Sequence, residues 1–397
     1  MTGAELALSL AQAGERLPAQ RAGAQPADLP PERPPEPAEA TPAHWPTSDA
    51  QWEALLAVAR RAMLGATLAA RWQAQGLLPG VPAAPRAHLD SAALVAQRLA
   101  HEVGWEIRRI AQALAAGGHR LVLLKGAAYL AAGLPPAQGR VFADIDIIVP
   151  QADVPAAEHA LFAAGWIPAE ADAYNQRYYR EWMHEIPPLR HALRGTTIDL
   201  HHTITPPTSA FNVAGQALLD AALPAEALPG VWVLQPVDMV LHSAVHLFAE
   251  GEFDHGLRDL WDMHSLISHF AATDPGFWPA LLARAQALRL QVPLHHALTH
   301  AGRLFATAVP AAWAPQVAAL APAGPQRVLM AFLLARALEP SAPAQRGLAE
   351  ALTRWLLYVR SHWLRMPVRL LLPHLVRKAW MRRFPAPVVE PPIAPPG

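Results

Sequence analysis

The 397-residue sequence contains no cysteine. This absence excludes disulfide bonds, iron–sulfur clusters, thiolate zinc sites and a cysteine nucleophile. The sequence also lacks an excess of charge of either sign, because 32 lysine and arginine residues balance 32 aspartate and glutamate residues. A chain with zero net charge is a poor match for extended nucleic acid, so we expect no DNA partner, although a local basic patch can still bind anions.

Long apolar runs are missing as well. No uninterrupted apolar stretch reaches the roughly 18 residues that indicate a membrane-spanning helix. The N-terminal sequence MTGAELALSLAQAGERLPAQ has neither a basic start nor a long apolar core, so it does not predict a signal peptide. Hydrophobic residues still make up 52% of the sequence, which is enough for a sizeable core. We expect a cytoplasmic protein of two or three structural units.

Proline is dense toward both ends of the sequence. The segments 1–48 and 385–397 are therefore predicted to be Pro-rich and disordered. Between them, an apolar-periodic run over 52–75 follows a cluster of helix-capping residues, and a second helical pattern covers 90–116. This periodicity predicts a helical N-terminal region at 49–117.

The pattern changes after residue 118. Short apolar runs, several rich in β-branched residues, predict strands at 120–124, 141–149, 196–201 and 231–234, with helices at 127–132 and 154–164. Later helical patterns cover about 236–250, 256–270, 276–289, 293–307, 325–338 and 344–383. The sequence therefore predicts a small α/β core at 118–235 and a helical C-terminal domain at 236–384.

The tripeptide Asp144-Ile145-Asp146 carries the most specific chemical signal. On a strand, residues two apart point to the same face, so both carboxylates would project together. Adjacent carboxylates repel each other unless a cation lies between them, and oxygen ligands suit Mg²⁺ or Mn²⁺. A third strand-borne acid, Asp199, could complete a two-metal site. The simpler alternative is a solvated strand face, which is the usual role of an isolated pair of this kind.

Basic residues near this tripeptide favour the metal-site interpretation. Lys125 and Gly126 end one predicted strand and begin a helix, where backbone N–H groups can hold an anion. Arg140 precedes Asp144 by four positions. Cations, a helix start and strand-borne acids together are typical of a site for phosphate and metal.

The run LVLLKGAAYLAAGLPPAQGRVFADIDIIVP resembles the signature of the uncharacterised bacterial nucleotidyltransferase family, a branch of the polymerase-β-like nucleotidyltransferase superfamily. The matching features are Leu124-Lys125-Gly126, Arg140 and Asp144-Ile145-Asp146-Ile147. The later IDLHHTI at 198–204 is similar to the strand that carries the third acid in that family. A helical segment with paired histidines and an Arg-Asp-Leu is also similar, and it contains His242, His246 and Arg258-Asp259-Leu260. The resemblance covers roughly 120–270.

This resemblance implies an α+β fold, in which a small mixed-sheet core is flanked by N-terminal helices and a C-terminal helical region. It implies Mg²⁺- or Mn²⁺-dependent transfer of a nucleoside monophosphate from a nucleoside triphosphate to an unknown acceptor, with release of pyrophosphate. Asp144 and Asp146 would bind both metals, Asp199 would bind the catalytic metal, and Gly126 would lie in the phosphate-binding turn. The wider superfamily has Gly-Ser in that turn, so Lys125 would have to supply the phosphate contact here.

Three kinds of acceptor stay open: a small molecule, a saccharide or a protein. The alternative function is a non-catalytic module of the same fold that binds a partner or nucleotide, as antitoxin-like or scaffold proteins do. All three predicted acids are present in this chain. Because an inactive relative can lose one of them without cost, their presence favours the enzyme.

The histidines suggest further candidates. His242 and His246 are four residues apart on a predicted helix, which is a usable zinc spacing. The alternatives are a helix face that packs on the core, or a helix that flanks the active site, with His242 or Asp259 touching the nucleotide or acceptor. His201 and His202 follow the third acid, and we expect His202 on the surface.

Two segments allow several interpretations. The stretch 354–384 contains eight basic residues and no acid, with Trp355 and Trp363 among leucines. This pattern is typical of a helix on an anionic membrane surface, here the inner face of the cell membrane, but it also fits an anionic polymer, or a hairpin packed on an acidic body with arginines outward. The segment 174–191 is rich in aromatics and arginine, and either stacks on the acceptor or base or forms a hairpin.

Overall fold

The computed structural model describes Leu6, Leu10 and residues 45–170, 172–225, 228–251, 253–339 and 347–383. The predicted Pro-rich tail 385–397 and most of segment 1–48 lie outside the described residues. Leu6 and Leu10 are both fully buried. Arg71 Nε donates a hydrogen bond to the Leu10 carbonyl oxygen at 3.0 Å, so this part of the N-terminal segment contacts the folded body.

Three helices precede the sheet: α1 (Asp49–Arg61), α2 (Gly65–Ala74) and α3 (Ala83–Ala116). Ser48 caps α1 through a reciprocal pair of hydrogen bonds with Gln51, as the capping residues in the sequence predict. The single helical run expected at 52–75 is two helices instead. Met63 adopts a positive φ of 56°, a conformation that interrupts a right-handed helix and turns the chain between α1 and α2.

One mixed sheet forms the centre of the described structure. Its strands are β1 (Leu121–Leu123), β2 (Ile145–Ile148), β3 (Trp166–Pro168), β4 (Leu189–His191), β5 (Thr197–His201), β6 (Leu223–Pro224) and β7 (Val231–Val233). The strand order is β3-β4-β5-β2-β1-β7-β6. The helices between strands are α4 (Lys125–Ala131), α5 (Val154–Ala163), α6 (Ala173–Trp182) and α7 (Gly215–Leu219). The α+β class with a mixed sheet is confirmed.

The two strands that carry Asp146 and Asp199 are parallel neighbours in the sheet. β2 pairs with β5 in parallel, and the register places Asp146 beside Asp199. β1 is antiparallel to β2, pairing Leu123 with Ile147, and parallel to β7. The strand expected at 141–149 begins only at Ile145, because residues 141–144 leave the sheet and line a cavity instead.

Eight helices follow in the described part of the chain. They are α8 (Pro236–Glu250), α9 (Gly256–Thr273), α10 (Phe277–Ala287), α11 (Gln291–Phe305), α12 (Ala314–Ala318), α13 (Gly324–Ala337), α14 (Leu348–Arg365) and α15 (Val368–Arg383). The long helix expected at 344–383 is divided at Pro367. A proline lacks the N–H needed inside a helix and restricts the residue before it, so the chain breaks there.

Helix α8 joins two hydrophobic clusters. Val240 and Val245 pack in the sheet cluster, whereas Leu247 and Phe248 pack in a second cluster. The second cluster contains residues of α1, α2, α9, α11 and α13, so the N-terminal helices pack on the C-terminal ones. α8 is therefore held from both sides, which makes it a rigid support for the polar groups at its end. The division into regions 49–117, 118–235 and 236–384 stays a prediction.

Arginines of the basic stretch 354–384 contact the body of the protein. Arg354 pairs with Asp254 at 3.0 Å, and Arg365 donates to the Glu250 carbonyl oxygen at 2.9 Å. Trp363 is 67% exposed. The stretch therefore packs on acidic residues of the body, as the hairpin hypothesis expects, but these two arginines face the body and not outward. Binding to a membrane surface stays a prediction. Of the described helices, none is both long enough and apolar enough to span a membrane.

Candidate active site

A cavity of about 430 Å³ lies where the sheet meets α8 and α9. Lys125, Gly126, the segment 140–144 and Asp146 form one wall, and polar side chains of α8 and α9 form the opposite wall. This volume lies within the range of small-molecule sites, roughly 300–1,000 Å³. Most of the sequence-predicted site residues therefore meet in one cavity.

Lys125 lies at the turn between β1 and α4 with a positive φ of 45°. This left-handed conformation is rare for a residue with a side chain, and strained residues of this kind are concentrated at functional sites. The Lys125 Nζ lies 2.9 Å from Asp146 Oδ1. Burial alone would lower the pKa of Lys125, but the carboxylates of Asp146 and Glu250 raise it above its usual value. The lysine is therefore a fixed positive charge beside the acids.

Gly126 makes room for Arg140. A Cβ atom at position 126 would overlap Arg140 Nε and lie 3.2 Å from its Cδ and Cζ atoms. Arg140 is only 9% exposed and forms an ion pair with Asp262 of α9, while its guanidinium lies 5.7 Å from the centre of the Tyr129 ring. Burial would lower the pKa of Arg140, but the Asp262 carboxylate keeps it above its usual value. The candidate phosphate ligands thus line the cavity, and Arg140 is paired with a carboxylate.

The three predicted acids lie on and beside the neighbouring strands β2 and β5. Asp146 and Asp199 are neighbours on parallel strands, so their side chains point to the same face of the sheet. Asp144 is exposed, lies immediately before β2 and lines the same cavity as Asp146. Asp199 is partly buried beside Asp146 and is not among the described residues that line the cavity.

The pKa values of these three acids shift in different directions, because nearby cations compensate their charges unequally. Burial would raise the pKa of Asp146, but Lys125 and the hydrogen bond from His201 Nε2 at 3.1 Å hold it well below its usual value. Burial and the Asp146 charge raise the pKa of Asp144. The same two causes raise the pKa of Asp199 to about 7. Asp199 Oδ1 also has no hydrogen-bond partner within the described residues, so a cation placed beside it would relieve both repulsion and an unmet hydrogen-bonding need.

The opposite wall carries its own acids and bases. His246 Nε2 lies 3.1 Å from Glu250 Oε2, and Asp259 Oδ1 accepts from Arg258 at 2.9 Å. Burial would raise the pKa of Asp259, but the Arg258 charge holds it below its usual value. His246 and Asp259 both line the cavity, as the flanking-helix alternative expects. His242, also on α8, is instead buried in the protein interior, where burial and the Lys125 charge hold its pKa well below the usual value.

Two expectations for neighbouring segments need correction. His202 is not on the surface: it is 9% exposed, and its Nε2 lies 3.1 Å from the Met183 carbonyl oxygen. The segment 174–191 is not a hairpin pair, because its first half forms α6 before β4 begins at Leu189. Stacking of this segment on a base or acceptor stays a prediction.

Residues 48–306 match the family model described as an uncharacterised nucleotidyltransferase. The chain belongs to this family. The match covers about two thirds of the chain and includes every residue of the site described above. The family membership expected from the sequence is confirmed, and it supports a role in nucleotidyl transfer in general terms. Comparisons with curated proteins and with solved structures gave no significant match.

Two side chains near this nucleotidyltransferase-family site, Glu250 and Glu185, were not predicted from the sequence. Glu250 lies within reach of His246 and Lys125, and Glu185 Oε2 lies 3.4 Å from His201 Nε2. Glu250 could have been predicted, because it follows His246 by four residues on one helix and therefore lies beside it. Glu185 offered no such signal, because it reaches the site only when the segment before β4 folds back along β5.

Proposed function

We propose that this nucleotidyltransferase-family protein transfers a nucleoside monophosphate from a nucleoside triphosphate to an acceptor hydroxyl, with divalent metal held by Asp144, Asp146 and Asp199. The observation that carries the proposal is the parallel pairing of Asp146 with Asp199, next to the exposed Asp144, at the edge of a ligand-sized cavity. Neighbouring carboxylates repel each other unless a cation compensates them, and oxygen donors of this kind suit Mg²⁺ or Mn²⁺.

The contacts of Asp146 favour a divalent metal ion at the acids over compensation by protein cations alone. Lys125 and His201 both contact the same oxygen of Asp146, Oδ1. The second oxygen of Asp146 is then left to share an ion with its neighbours. Metal bound here would stabilise the negative charge that develops on the triphosphate during transfer.

Residues of the chain supply the rest of the site. Lys125 is held at the cavity wall by its strained backbone, and its Nζ is positioned to contact a phosphate oxygen once metal compensates Asp146. Arg258, on the opposite wall, provides a second cation near the cavity. Positioning and charge neutralisation account for most of the catalysis in phosphoryl chemistry, so fixed cations on two walls are well suited to hold a triphosphate between them.

The test is the thermal unfolding of the full chain with each of the four common nucleoside triphosphates, with and without Mg²⁺. A ligand that binds only the folded state raises stability by about 2.7 kcal/mol when its concentration is 100 times Kd. We expect Mg²⁺-dependent stabilisation by at least one nucleotide in the wild type and in Asp90→Asn. Asp90 is an exposed acid of α3, outside the cavity, and serves as the matched control. Asp144→Asn should lose the effect.

Pyrophosphate release separates transfer from binding. The enzyme should release pyrophosphate from the stabilising nucleotide in the presence of Mg²⁺ and an acceptor-containing extract, and Asp146→Asn should not. Stabilisation without any pyrophosphate release would favour the alternative of a nucleotide-binding module. The absence of stabilisation by any nucleotide would contradict the proposed donor.

A further inference from the structure

A second group of potential metal ligands lies behind the three acids. His184 and Glu185 belong to the segment between α6 and β4, and His201 is the last residue of β5. Each of the three side chains offers one ligand atom, and these atoms all lie within 4.8 Å of one another. Among the described residues, no other set of three or more histidine, aspartate and glutamate side chains meets this spacing, the acids Asp144, Asp146 and Asp199 included.

The backbone holds this group in place. Ile186 N donates to the Leu200 carbonyl oxygen at 3.0 Å, and His202 N donates to the His184 carbonyl oxygen at 2.9 Å. Glu185 and His201 are partners in an isolated antiparallel bridge between these hydrogen bonds. The three ligands therefore project from two cross-linked extended segments and not from independent loops, which favours a preformed site.

We propose that His184, Glu185 and His201 form a site for a zinc-like transition-metal ion, separate from the carboxylate site. Two imidazoles and one carboxylate are a donor set that zinc and its neighbours prefer, whereas Mg²⁺ prefers oxygen donors alone. Ligand atoms around tetrahedral zinc are about 3.4 Å apart, given bond lengths of about 2.0–2.2 Å. His201 Nε2 and Glu185 Oε2 already lie 3.4 Å apart.

Burial distinguishes this site from a chance surface cluster. His184 is 5% exposed and His201 is 1% exposed. The Nδ1 atoms of both rings are buried without a hydrogen-bond partner within the described residues. Buried polar atoms nearly always have a partner, so two buried imidazoles with unpartnered nitrogens side by side are unusual in a protein interior, and an ion at this group would hold both rings in place. Three protein ligands leave one tetrahedral position open, the arrangement typical of zinc sites that bind a further group.

The position of the site gives it a direct connection to the acids. His201 Nε2 lies 3.1 Å from Asp146 Oδ1, so an ion bound at this nitrogen would replace the hydrogen bond to Asp146 and would adjoin its carboxylate. The ion would fix the orientation of His201 and would take over the compensation of the Asp146 charge that the histidine provides. The inference does not depend on the proposed transfer reaction, because the ion would bind whether or not the cavity accepts a nucleotide.

The experiment measures metal binding by the full chain. The protein, free of affinity tags, is stripped with a chelator, and Co²⁺ or Zn²⁺ is added. Visible absorption reports Co²⁺ coordination, and elemental analysis after gel filtration reports retained zinc. We expect one tightly held equivalent per chain, with the absorption of four- or five-coordinate Co²⁺. Excess Mg²⁺ should not displace it.

Variants locate the ion. Loss of a residue that only hydrogen-bonds a metal ligand weakens metal binding by about 10–100-fold. Glu185→Gln and His184→Gln remove ligands, so each should weaken zinc binding by more than this. His202→Gln is the matched control, because His202 is the adjacent buried histidine and is outside the ligand group. It should bind zinc like the wild type, as should Asp144→Asn. Circular dichroism checks that each variant is folded.

Three results would overturn the inference: no zinc retained by the folded wild type, equal binding in the His184 and His202 variants, or loss of zinc in Asp144→Asn with retention in His184→Gln. The last result would place the ion at the three acids. Because none of these readouts needs nucleotide, failure of this inference is distinguishable from failure of the proposed function.

Discussion

Replacing Gly126 by alanine tests the packing on which the candidate site depends. The new Cβ would overlap Arg140 Nε and lie 3.2 Å from the Cδ and Cζ atoms, so the guanidinium must move. Arg140 cannot move freely, because it is buried and pairs with the buried Asp262. Its displacement would leave the Asp262 carboxylate without its cation.

The expected magnitude follows from these contacts. Breaking a buried ion pair by losing one partner costs about 3–5 kcal/mol. Alanine is a better helix former than glycine, which offsets about 1 kcal/mol of this in α4. We therefore expect Gly126→Ala to lower the free energy of unfolding by about 2–4 kcal/mol.

Gly104→Ala is the matched control in α3. A Cβ at position 104 would have no heavy atom within 4 Å, and the residue lies well inside the helix. This variant should therefore gain up to about 1 kcal/mol from helix propensity. Both are measured by equilibrium urea unfolding of the full chain, followed by tryptophan fluorescence. The reasoning fails if Gly126→Ala is as stable as the wild type while Gly104→Ala behaves as expected.

Two further predictions concern pH and the membrane. His300 is 2% exposed, and burial lowers its pKa to about 4. The unfolded chain, with a histidine pKa of about 6.5, then binds more protons, so stability is complete above about pH 6.5 and is lost as pH falls toward 4. At pH 5 the buried His300 lowers the free energy of unfolding by about 2 kcal/mol. Between pH 7.5 and pH 5, His300→Leu should therefore lose about 2 kcal/mol less stability than the wild type, as measured by urea unfolding. Equal losses in the two proteins would contradict the assigned burial. Trp355 and Trp363 are 58% and 67% exposed, so the full chain should float with anionic liposomes and Trp355→Ser/Trp363→Ser should float less. Equal flotation of both proteins, or none, would count against a membrane surface.

The central strands could be predicted because their sequences are locally consistent. β1, β2, β5 and β7 are rich in buried valine, isoleucine and leucine, which fit a sheet covered on both faces. Strands β3, β4 and β6, which have two or three residues each, were not predicted. β3 and β6 are the edges of the sheet and each ends in a proline. Proline is tolerated at an edge but removes the sequence signal of a strand.

The acids were predictable as a set, but their arrangement was not. The pairing of Asp146 with Asp199 depends on which strands become neighbours, and these residues are far apart in sequence. Asp144 lies outside β2 because the sheet partners begin at Ile145, a fact that no local pattern in 141–149 encodes. The positive φ of Lys125 had no signal either, since such backbone is expected at glycine and not at lysine.

Pairing between distant segments explains the remaining differences. Arg140 and Asp262 are separated by 122 positions, and His201 and Asp146 by 55. Propensity and periodicity describe windows of ten to twenty residues, so they cannot show which cation compensates which acid. The charge pattern of the cavity therefore follows from tertiary packing around α8.

The most direct test of the account is a crystal structure of the full chain with Mn²⁺ and a triphosphate whose α–β bridge is a non-hydrolysable methylene group. Anomalous scattering from manganese would locate the metal without ambiguity. We expect manganese peaks in contact with Asp144, Asp146 and Asp199, and triphosphate oxygens near Lys125. Manganese absent from these three carboxylates while the nucleotide is bound, or a nucleotide outside the cavity, would contradict this expectation.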